Sequence, residues 1–365
     1  MRKRVVHVIP DMPPCGAEMV VLTYLRKFKY DPDYQVSVIS LSYNQHRLYE
    51  QIAEKEGLDV IYLNQNICDN RLLSRFRQIQ QLHKALLIKR PNIIHIHLSI
   101  LWLVCFAAVG TKVNKIFHTL HSDPEKTSYG IHVSIDRLCY ILFNVKPFAL
   151  NEEMKDKANK LFKINTTRVL YNGIDIELYK NLNRRLHREQ YGISDDCFVL
   201  GHVGRFNKIK NHKKIIEVFK EVIRLKPLSK LMLVGDGEEM TQIKQLVNSL
   251  SLVNDVIFIG TSNEIPKMLS MMDCFIFPSL FEGLGIVLLE AQAAGLRCVV
   301  SDTVPKETTV TDNVVRLPLE YSPKIWAQTV LGFIDIKTAP ISQSIGSYDI
   351  NNVIKTLKYY YGNDC

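Results

Sequence analysis

The segment CFIFPSLFEGLGIVLLEAQAAGLRCVVSD, residues 274–302, decides the fold of this chain. It opens with a short apolar run that ends at Pro278 and continues through a glycine-containing loop into a helical pattern from Gly285. A second β-branched run follows at residues 298–301. A helix between two buried strands is typical of a βαβ unit, in which the strands are parallel. The segment therefore predicts an α/β fold.

Short apolar runs alternate with helical patterns along the rest of the chain as well. This alternation is typical of parallel sheets that are covered by helices on both faces. The predicted strands are residues 5–9, 35–41, 60–63, 93–97, 116–120 and 147–150 in the first half, and residues 198–203, 230–234, 256–259, 274–278 and 298–301 in the second. The two sets predict two doubly wound, Rossmann-like domains, which also suits a length of 365 residues.

The boundary between the domains is predicted from the polar stretch 151–191, where strand signals become rare apart from residues 168–171. We place the join near residue 165, so that the domains are 1–165 and 166–349. The remaining segment, 350–365, has a helical period and is expected to pack back across the first domain.

Composition indicates a soluble globular protein, because 47% of the residues are hydrophobic and 23% are charged. The eight cysteines are scattered without any CxxC pair, which is typical of reduced thiols in the cytosol. The longest apolar stretch, residues 98–110, is shorter than a membrane-spanning helix needs. We therefore expect a cytoplasmic protein.

The net charge of +9 is unevenly distributed, because the excess of Lys and Arg lies almost entirely in residues 1–190. A basic half suits an anionic partner, such as a membrane surface, a lipid pyrophosphate or nucleic acid. The helical stretch 71–91 carries an apolar stripe flanked by basic residues. Such a helix either covers a sheet with its basic face in solvent or lies on an anionic membrane surface.

Two carboxylates in the opening segment are candidates for ligand binding. Glu282 lies in the loop before the predicted helix, and Glu290 lies within that helix. A helix N-terminus presents free N–H groups and a partial positive charge, which suits a diphosphate. Carboxylate oxygens can accept charge-assisted hydrogen bonds from sugar hydroxyls.

The stretch EGLGIVLLE, with FPS before it and AAGLRCVVSD after it, resembles the EX7E motif of retaining GT-B glycosyltransferases, specifically family 4. The resemblance implies that Glu282 contacts hydroxyls of the donor sugar and that Glu290 contacts the ribose. It also implies that the backbone of residues Gly283, Leu284 and Gly285 lies against the sugar and the phosphates.

A second segment, GHVGRFNKIKNH at residues 201–212, places Arg205 and Lys210 after a predicted strand. Two cations in such a loop can neutralise a pyrophosphate leaving group without a metal ion. The segment is similar to the GR…K segment of the family, in which the Arg and the Lys grip the diphosphate. Taken alone, an Arg and a Lys after a strand are more often surface charge.

Four further contacts follow from the resemblance. Gly16 matches the family's GGAE loop, although Cys15 stands where the first glycine is usual, and its backbone would approach the donor phosphate. His121 matches the histidine near the reacting sugar. Thr261 lies where the nucleobase would bind, and Asn172 lies in a segment similar to the family's hinge-proximal NG.D, where an Asn-Gly turn is an equal explanation.

Histidines at strand ends raise the alternative of a zinc site. His95 and His97 alternate on one strand, so their side chains share a face, and His118 with His121 forms an HxxH pair. Neither a nearby cysteine nor an HExxH helix accompanies them. We therefore expect that the protein needs no metal and no other cofactor.

The resemblance implies a two-domain GT-B fold, with an acceptor-binding N-terminal domain, a nucleotide-sugar-binding C-terminal domain and a cleft between them. It implies transfer of a hexose from a nucleotide diphosphate sugar, with a UDP-sugar favoured, to a lipid-linked or glycan acceptor in surface polysaccharide synthesis. Glu282, His121, Arg205 and Lys210 would serve the reaction. The expected location is the cytoplasm. The inner face of the plasma membrane is a further candidate partner, and no nucleic-acid partner is expected. Two alternatives are a nucleotide-sugar epimerase of the same fold and a non-catalytic nucleotide-sugar-binding protein.

Overall fold

The computed structural model describes residues 2–13, 16–42, 48–63, 71–180, 182–332 and 343–363. These residues form two compact units. One unit comprises Met1–Gly173 together with Ile350–Cys365, and the other comprises Ile174–Asp349.

The first unit is a parallel sheet with helices in the connections. Its strands are β1 Lys3–Ile9, β2 Tyr34–Ser40, β3 Val60–Tyr62, β4 Ile93–His97, β5 Lys115–Thr119, β6 Lys146–Ala149 and β7 Arg168–Val169. Its connecting helices are α1 Gly16–Phe28, α2 Leu48–Lys55, α3 Arg71–Lys89, α4 Leu101–Ala108, α5 Pro124–Thr127, α6 Ile131–Leu142 and α7 Glu152–Phe162. The strands lie in the order β3-β2-β1-β4-β5-β6-β7, and all neighbours are parallel.

The second unit repeats this design. Its helices are α8 Arg184–Gln190, α9 His212–Leu225, α10 Met240–Ser249, α11 Ile265–Ser270, α12 Ile286–Ala293 and α13 Pro323–Leu331. Its strands are β8 Phe198–Val203, β9 Ser229–Val234, β10 Val256–Gly260, β11 Cys274–Phe277, β12 Arg297–Ser301 and β13 Val314–Leu317. They lie in the order β10-β9-β8-β11-β12-β13, and all neighbours are parallel. This is the strand order of a Rossmann fold.

The prediction of two doubly wound parallel sheets is confirmed, and the predicted strands agree with the observed ones to within one or two residues at each end. Strand β13 escaped prediction. Its sequence VVRL is short and only its last residue is fully buried, so it lacks the continuous apolar run of the inner strands.

The join predicted near residue 165 differs from the boundary between Gly173 and Ile174. The cause is β7, which pairs with β6 through Phe148 and Arg168 and so belongs to the first sheet. The sequence shows a strand signal at residues 168–171, but a strand of two residues does not reveal to which sheet it belongs.

The C-terminal helix, α14 Ile350–Gly362, lies in the first unit. Its Tyr361 hydroxyl contacts His95 Nδ1 at 2.6 Å, and its Lys358 forms an ion pair with Asp31. A Cβ atom on Gly173 would meet the Cα of Ile350 at 2.8 Å. Because Gly173 has no side chain, α14 can start directly beside the last residues of the segment Met1–Gly173.

The described cysteines and helices bear on two further expectations. Cys105, Cys139, Cys197, Cys274 and Cys298 are buried free thiols. Among the described residues, no helix combines the length and the apolar character that crossing a bilayer requires.

The buried guanidinium of Arg188 ties α8 to the second sheet. It forms an ion pair with Asp273 at 2.7 Å and donates to the carbonyl oxygens of Met271 at 2.8 Å and Cys197 at 2.9 Å. Asp273 and Cys197 immediately precede β11 and β8. One side chain therefore satisfies acceptors at the start of both central strands.

We expect Arg188→Ala to lower the free energy of unfolding by about 3 kcal/mol, because it leaves buried acceptors without a donor. Urea unfolding followed by the fluorescence of Trp326, in a Trp102→Phe background, measures this. The matched control is Arg185→Ala on the same helix, whose side chain is 77% exposed and pairs with Glu189 at the surface. The control should change stability by less than about 0.5 kcal/mol. Equal losses in both variants would contradict the role given to Arg188.

Candidate functional site

The second unit has a topological switch point between β8 and β11. The chain leaves β8 towards one edge of the sheet and leaves β11 towards the other. In open α/β sheets, ligands bind in the crevice that this reversal creates at the carboxyl ends of the strands. The loop after β8 carries Arg205 and Lys210, and the loop after β11 carries Glu282. The fold alone therefore points to these loops.

The structure brings Lys210 and Glu282 together. Lys210 Nζ lies 2.6 Å from Glu282 Oε1, and the two side chains are only 17% and 10% exposed. The ammonium group also lies 4.7 Å from the ring centre of Phe277. The pair is shielded from water, so its attraction is stronger than that of a surface ion pair.

Backbone contacts hold the two loops in register. The amide of Leu280 donates to the carbonyl of Ile209 at 2.8 Å, and the side chain of Asn211 donates to the carbonyl of Pro278 at 3.2 Å. The Asn207 side chain caps the short turn by accepting from the amide of Lys210. Both members of the pair are thus positioned by the backbone rather than by their mutual attraction alone.

Gly285 ends the loop and begins α12 next to Glu282. Its φ of +76° is in the left-handed region that favours glycine. A Cβ atom there would lie 3.3 Å from the Phe277 ring and 3.7 Å from Glu282 Cγ. No side chain caps this helix, and the amide of Leu288 donates to the carbonyl of Gly285 at 2.9 Å. The amides of Ile286 and Val287 are therefore the ones that can face an anion beside Glu282. Gly283 and Leu284 form the link between the carboxylate and this helix start.

Glu290 lies one turn further along α12, and its Oε1 accepts a hydrogen bond from the Tyr179 hydroxyl at 2.7 Å. Burial raises the pKa of Glu290 to about 7, and the hydrogen bond from Tyr179 opposes this shift. The sequence did not point to Tyr179, which lies in a short 3-10 turn far from Glu290 in the chain.

Arg205 and Thr261 do not join the pair. The exposed guanidinium of Arg205 contacts Glu238 at 3.2 Å. Thr261 is exposed directly after β10, two strands away from β8 in the sheet. Both residues lie at the carboxyl edge of the same sheet, and neither touches Lys210 or Glu282 in this structure.

The glycine loop after β9 packs against the loop after β8. Gly235 has a φ of +136°, and a Cβ atom there would meet the carbonyl oxygen of Gly204 at 2.0 Å. Its amide donates to the carbonyl of Gly260 at the end of β10. Glycine is therefore required at this position by close approach as well as by φ.

In the first unit, Gly16 begins α1 at the carboxyl end of β1 and is exposed. Cys15 lies outside the described residues. Asn172 is buried beside Gly173, whose φ is not positive. Close packing against Ile350, rather than an Asn-Gly turn with left-handed backbone, explains that glycine.

His121 is the end of a row of histidines. Its Nε2 lies 2.9 Å from His97 Nδ1, and His97 Nε2 lies 2.8 Å from His7 Nδ1. Burial lowers the pKa of both His7 and His121 to about 3 and that of His97 well below its usual value. All three rings are therefore neutral near pH 7.

The four histidines of the zinc alternative do not come together. His118 contacts the Tyr140 hydroxyl and the carbonyl of Leu98 instead. The group whose nitrogens lie within 4.8 Å of one another is His7, His95 and His97.

Both nitrogens of His95 already contact hydroxyls, those of Tyr361 and Thr119, and both nitrogens of His97 contact other imidazoles. A metal at this group would have to break these contacts. His7 escaped prediction, because only the register of β1 with β4 shows that it lies on the same face of the sheet as its partner His95.

Comparisons with known proteins agree with this architecture. The family model described as Glycosyltransferase Family 4 matches residues 14–178, and the model described as Glycosyl transferases group 1 matches residues 183–330. The chain is 30% identical to EpsF of Bacillus subtilis (strain 168) over 347 residues, which cover 90% of this chain and 87% of EpsF.

Two further matches are informative. The chain is 29% identical over 251 residues to an Escherichia coli enzyme named UDP-Gal:alpha-D-GlcNAc-diphosphoundecaprenol alpha-1,3-galactosyltransferase, covering 65% of this chain and 64% of that one. The crystal structure of Anabaena HepE in complex with UDP and glucose superimposes with a TM-score of 0.81 at 19% identity and covers 100% of both chains.

The fold, together with the match of each half of the chain to a glycosyltransferase family model, defines the class of the protein as a GT-B glycosyltransferase. The chain belongs to glycosyltransferase family 4. It is accordingly an enzyme that transfers a sugar.

The raised pKa of Glu290 makes a testable statement about stability. Below pH 4.5 the folded and the unfolded chain both hold the proton, whereas between pH 4.5 and about 7 only the unfolded chain loses it readily. The cost of ionising this partly buried carboxylate is therefore small at pH 4.5 and complete at pH 8. A glutamine, which cannot ionise, avoids this cost.

We expect Glu290→Gln to stabilise the fold by up to about 3 kcal/mol more at pH 8 than at pH 4.5. Urea unfolding at the two pH values measures the difference, and Glu189→Gln, at an exposed glutamate, is the control. The same change in stability at both pH values would show that Glu290 ionises normally.

Proposed function

We propose that this enzyme transfers a hexose from a UDP-sugar to a lipid-linked saccharide or glycan acceptor in surface polysaccharide synthesis. We further propose that transfer retains the anomeric configuration and needs no metal ion. The observation that carries the proposal is the shielded Lys210–Glu282 pair beside the uncapped start of α12, at the switch point of the second sheet.

The donor diphosphate would bind at the start of α12 and to Lys210. The amides of the helix and the ammonium group supply positive charge where the diphosphate is negative. Lys210 would then exchange its carboxylate partner for a phosphate oxygen. This exchange frees Glu282 to accept hydrogen bonds from the hexose hydroxyls, and Glu290 would accept from the ribose.

Arg205 would join the diphosphate by leaving Glu238. Both members of that pair are about 60% exposed, so the pair contributes little and can be replaced readily. Thr261, at the end of β10, would contact the base. Gly16 and Asn172 remain predicted donor contacts of the first unit.

During transfer, the bond between the anomeric carbon and the phosphate oxygen breaks, and its electron pair stays on the diphosphate. Lys210 and Arg205 stabilise the charge that develops there, which lowers the barrier. The acceptor oxygen forms the new bond from the face that the leaving group vacates, and its proton passes to the departing phosphate. His121 would contact a hydroxyl of the reacting sugar.

The named relatives support the choice of substrates. HepE binds UDP and glucose, and the Escherichia coli relative is named for transfer from UDP-Gal to a diphosphoundecaprenol-linked sugar. These names support a uridine diphosphate donor and a lipid diphosphate acceptor for the present chain.

Incubation with radiolabelled UDP-hexoses, with and without a diphosphoundecaprenol-linked saccharide and with EDTA present, tests the proposal. We expect label in the lipid fraction only when the acceptor is present, and no effect of EDTA. An altered UDP-sugar without acceptor would instead identify an epimerase. Tight UDP binding without any product would identify a non-catalytic binding protein, and loss of transfer in EDTA would contradict metal independence.

Lys210→Ala and Glu282→Ala are each expected to reduce turnover by about 100-fold or more, because each removes a group that stabilises the transition state. The control is Lys213→Ala, which removes a 73% exposed ammonium group from the following helix. Initial transfer rates of the folded variants provide the measurement. Near-normal rates for Lys210→Ala would exclude it from the site.

We also propose that the first unit touches an anionic membrane through α4 and α6. Along α3, Leu82 and Leu86 are fully buried, so that part of its stripe covers the sheet. Leu73 and Phe76 of α3 are exposed. A further set of exposed apolar side chains lies on α6 and on or directly after α4, and consists of Phe106, Val109, Leu138, Ile141 and Leu142.

Basic residues adjoin this further set of apolar side chains. Lys115 and Lys146 line one surface hollow together with Val109 and Phe143, and the Phe143 ring contacts Phe106. Apolar side chains with lysines beside them suit the boundary between acyl chains and anionic headgroups.

The double variant Ile141→Ser/Leu142→Ser is expected to bind vesicles of phosphatidylglycerol and phosphatidylcholine at least about tenfold more weakly, because two large apolar side chains no longer enter the bilayer. Flotation with vesicles measures binding. The control is Leu225→Ser/Leu228→Ser, which changes two exposed leucines of the second unit. Unchanged binding of the first double variant would move the contact elsewhere.

A further inference from the structure

The histidine row in the first unit is a continuous hydrogen-bonded chain. His7 Nδ1 contacts His97 Nε2 at 2.8 Å, and His97 Nδ1 contacts His121 Nε2 at 2.9 Å. The ring centres are 5.1 Å and 5.2 Å apart, so each pair meets edge to edge rather than face to face. The two terminal nitrogens, His7 Nε2 and His121 Nδ1, are buried and have no hydrogen-bond partner within the described part of the chain.

Counting protons along this chain leaves only two arrangements. A neutral imidazole carries one N–H, so three rings carry three hydrogens. Each of the two contacts needs one hydrogen between its nitrogens. The third hydrogen must therefore sit on one of the two terminal nitrogens. One nitrogen of His97 donates and the other accepts, so the tautomers of all three rings are coupled: either all three carry their hydrogen on Nδ1 or all three carry it on Nε2.

The surroundings of the two ends decide between the arrangements. His7 is 0% exposed in the middle of the sheet, where an N–H without an acceptor would cost about 1–3 kcal/mol. His121 follows β5 and is only half-buried as a residue, although its Nδ1 is itself covered, so a small side-chain movement gives that atom access to an acceptor from solvent or from a bound molecule. The third hydrogen therefore belongs on His121 Nδ1, and all three histidines carry their hydrogen on Nδ1.

We propose that His7 and His97 are positioning residues that hold His121 as an Nδ1–H donor towards an oxygen of the bound sugar. The identity of the ligand as a sugar rests on the proposed function, whereas the arrangement of hydrogens does not. In this arrangement His121 can donate but cannot accept. It thus favours a sugar that presents a hydroxyl or ring oxygen with a free lone pair at that point.

The histidine row fixes the tautomer of His121, whereas an isolated neutral histidine can adopt either of two tautomers. Either ring nitrogen of a neutral histidine can carry the hydrogen, and the partner of the other nitrogen decides which one does. His97 donates to His121 Nε2 and so excludes the alternative tautomer. His7 in turn donates to His97 Nε2 and keeps His97 in the donating form.

Nuclear magnetic resonance of protein labelled with ¹⁵N-histidine tests the proposal, because ¹⁵N shifts distinguish a protonated ring nitrogen from a bare one. In the wild-type enzyme without substrates we expect Nδ1–H tautomers at His7, His97 and His121. In His97→Phe we expect His121 to change to the Nε2–H tautomer, and transfer to slow by about tenfold or more.

The matched control is His95→Phe. It removes an equally buried ring from the same strand, but one that is not part of the hydrogen-bonded row His7–His97–His121. It should leave the tautomer of His121 unchanged and slow transfer less than His97→Phe does. Equal effects of the two folded variants on the tautomer and the rate would overturn the positioning role. An Nε2–H tautomer at any of the three wild-type histidines would overturn the proposal as well, even if His97→Phe does not fold. Because the spectra need no turnover, a failed transfer assay leaves this test intact.

Discussion

A single constraint organises the second unit, namely that all six strands are parallel and that their direction of connection reverses between β8 and β11. The reversal places two loops side by side, and the ion pair of Lys210 with Glu282 spans them. Parallel strands end at the same edge of the sheet. The topology alone therefore brings the ammonium group, the carboxylate and the start of α12 close together. In the free enzyme the ammonium group and the carboxylate neutralise each other. In the proposed reaction, a bound sugar diphosphate would replace this ion pair by two new contacts, one from Lys210 to a phosphate oxygen and one from the sugar to Glu282.

The fold was largely predictable from the sequence, because buried parallel strands are nearly continuous apolar runs. Segments such as residues 198–203 and 274–277 are buried throughout, and their boundaries are marked by turn residues. The two weak strands were different. Half-buried β13 has too few buried positions to show a run, and β7 has only two residues. The misplaced join at residue 165 follows directly from the weakness of β7.

The candidate site was predictable in part. Glu282 and Lys210 stand in motifs whose spacing already suggested a shared ligand, and the structure places them in contact. Tyr179 and Glu238 could not be found in this way, because each meets its partner only through the tertiary fold. His7 was hidden for another reason. A lone histidine in an apolar strand is as compatible with an ordinary core position as with a chain of imidazoles, and only the register between β1 and β4 distinguishes them.

The placement of α14 in the first unit has a consequence for how the chain is made. Residues 174–349 are synthesised between the two parts of that unit, so its sheet emerges from the ribosome long before the helix that completes it. During this interval His95 lacks the Tyr361 hydroxyl, and Asp31 lacks the ammonium group of Lys358. The second unit, whose residues are contiguous, can finish folding first. Maturation of the first unit is in this sense governed by a helix that is translated only after the whole second unit.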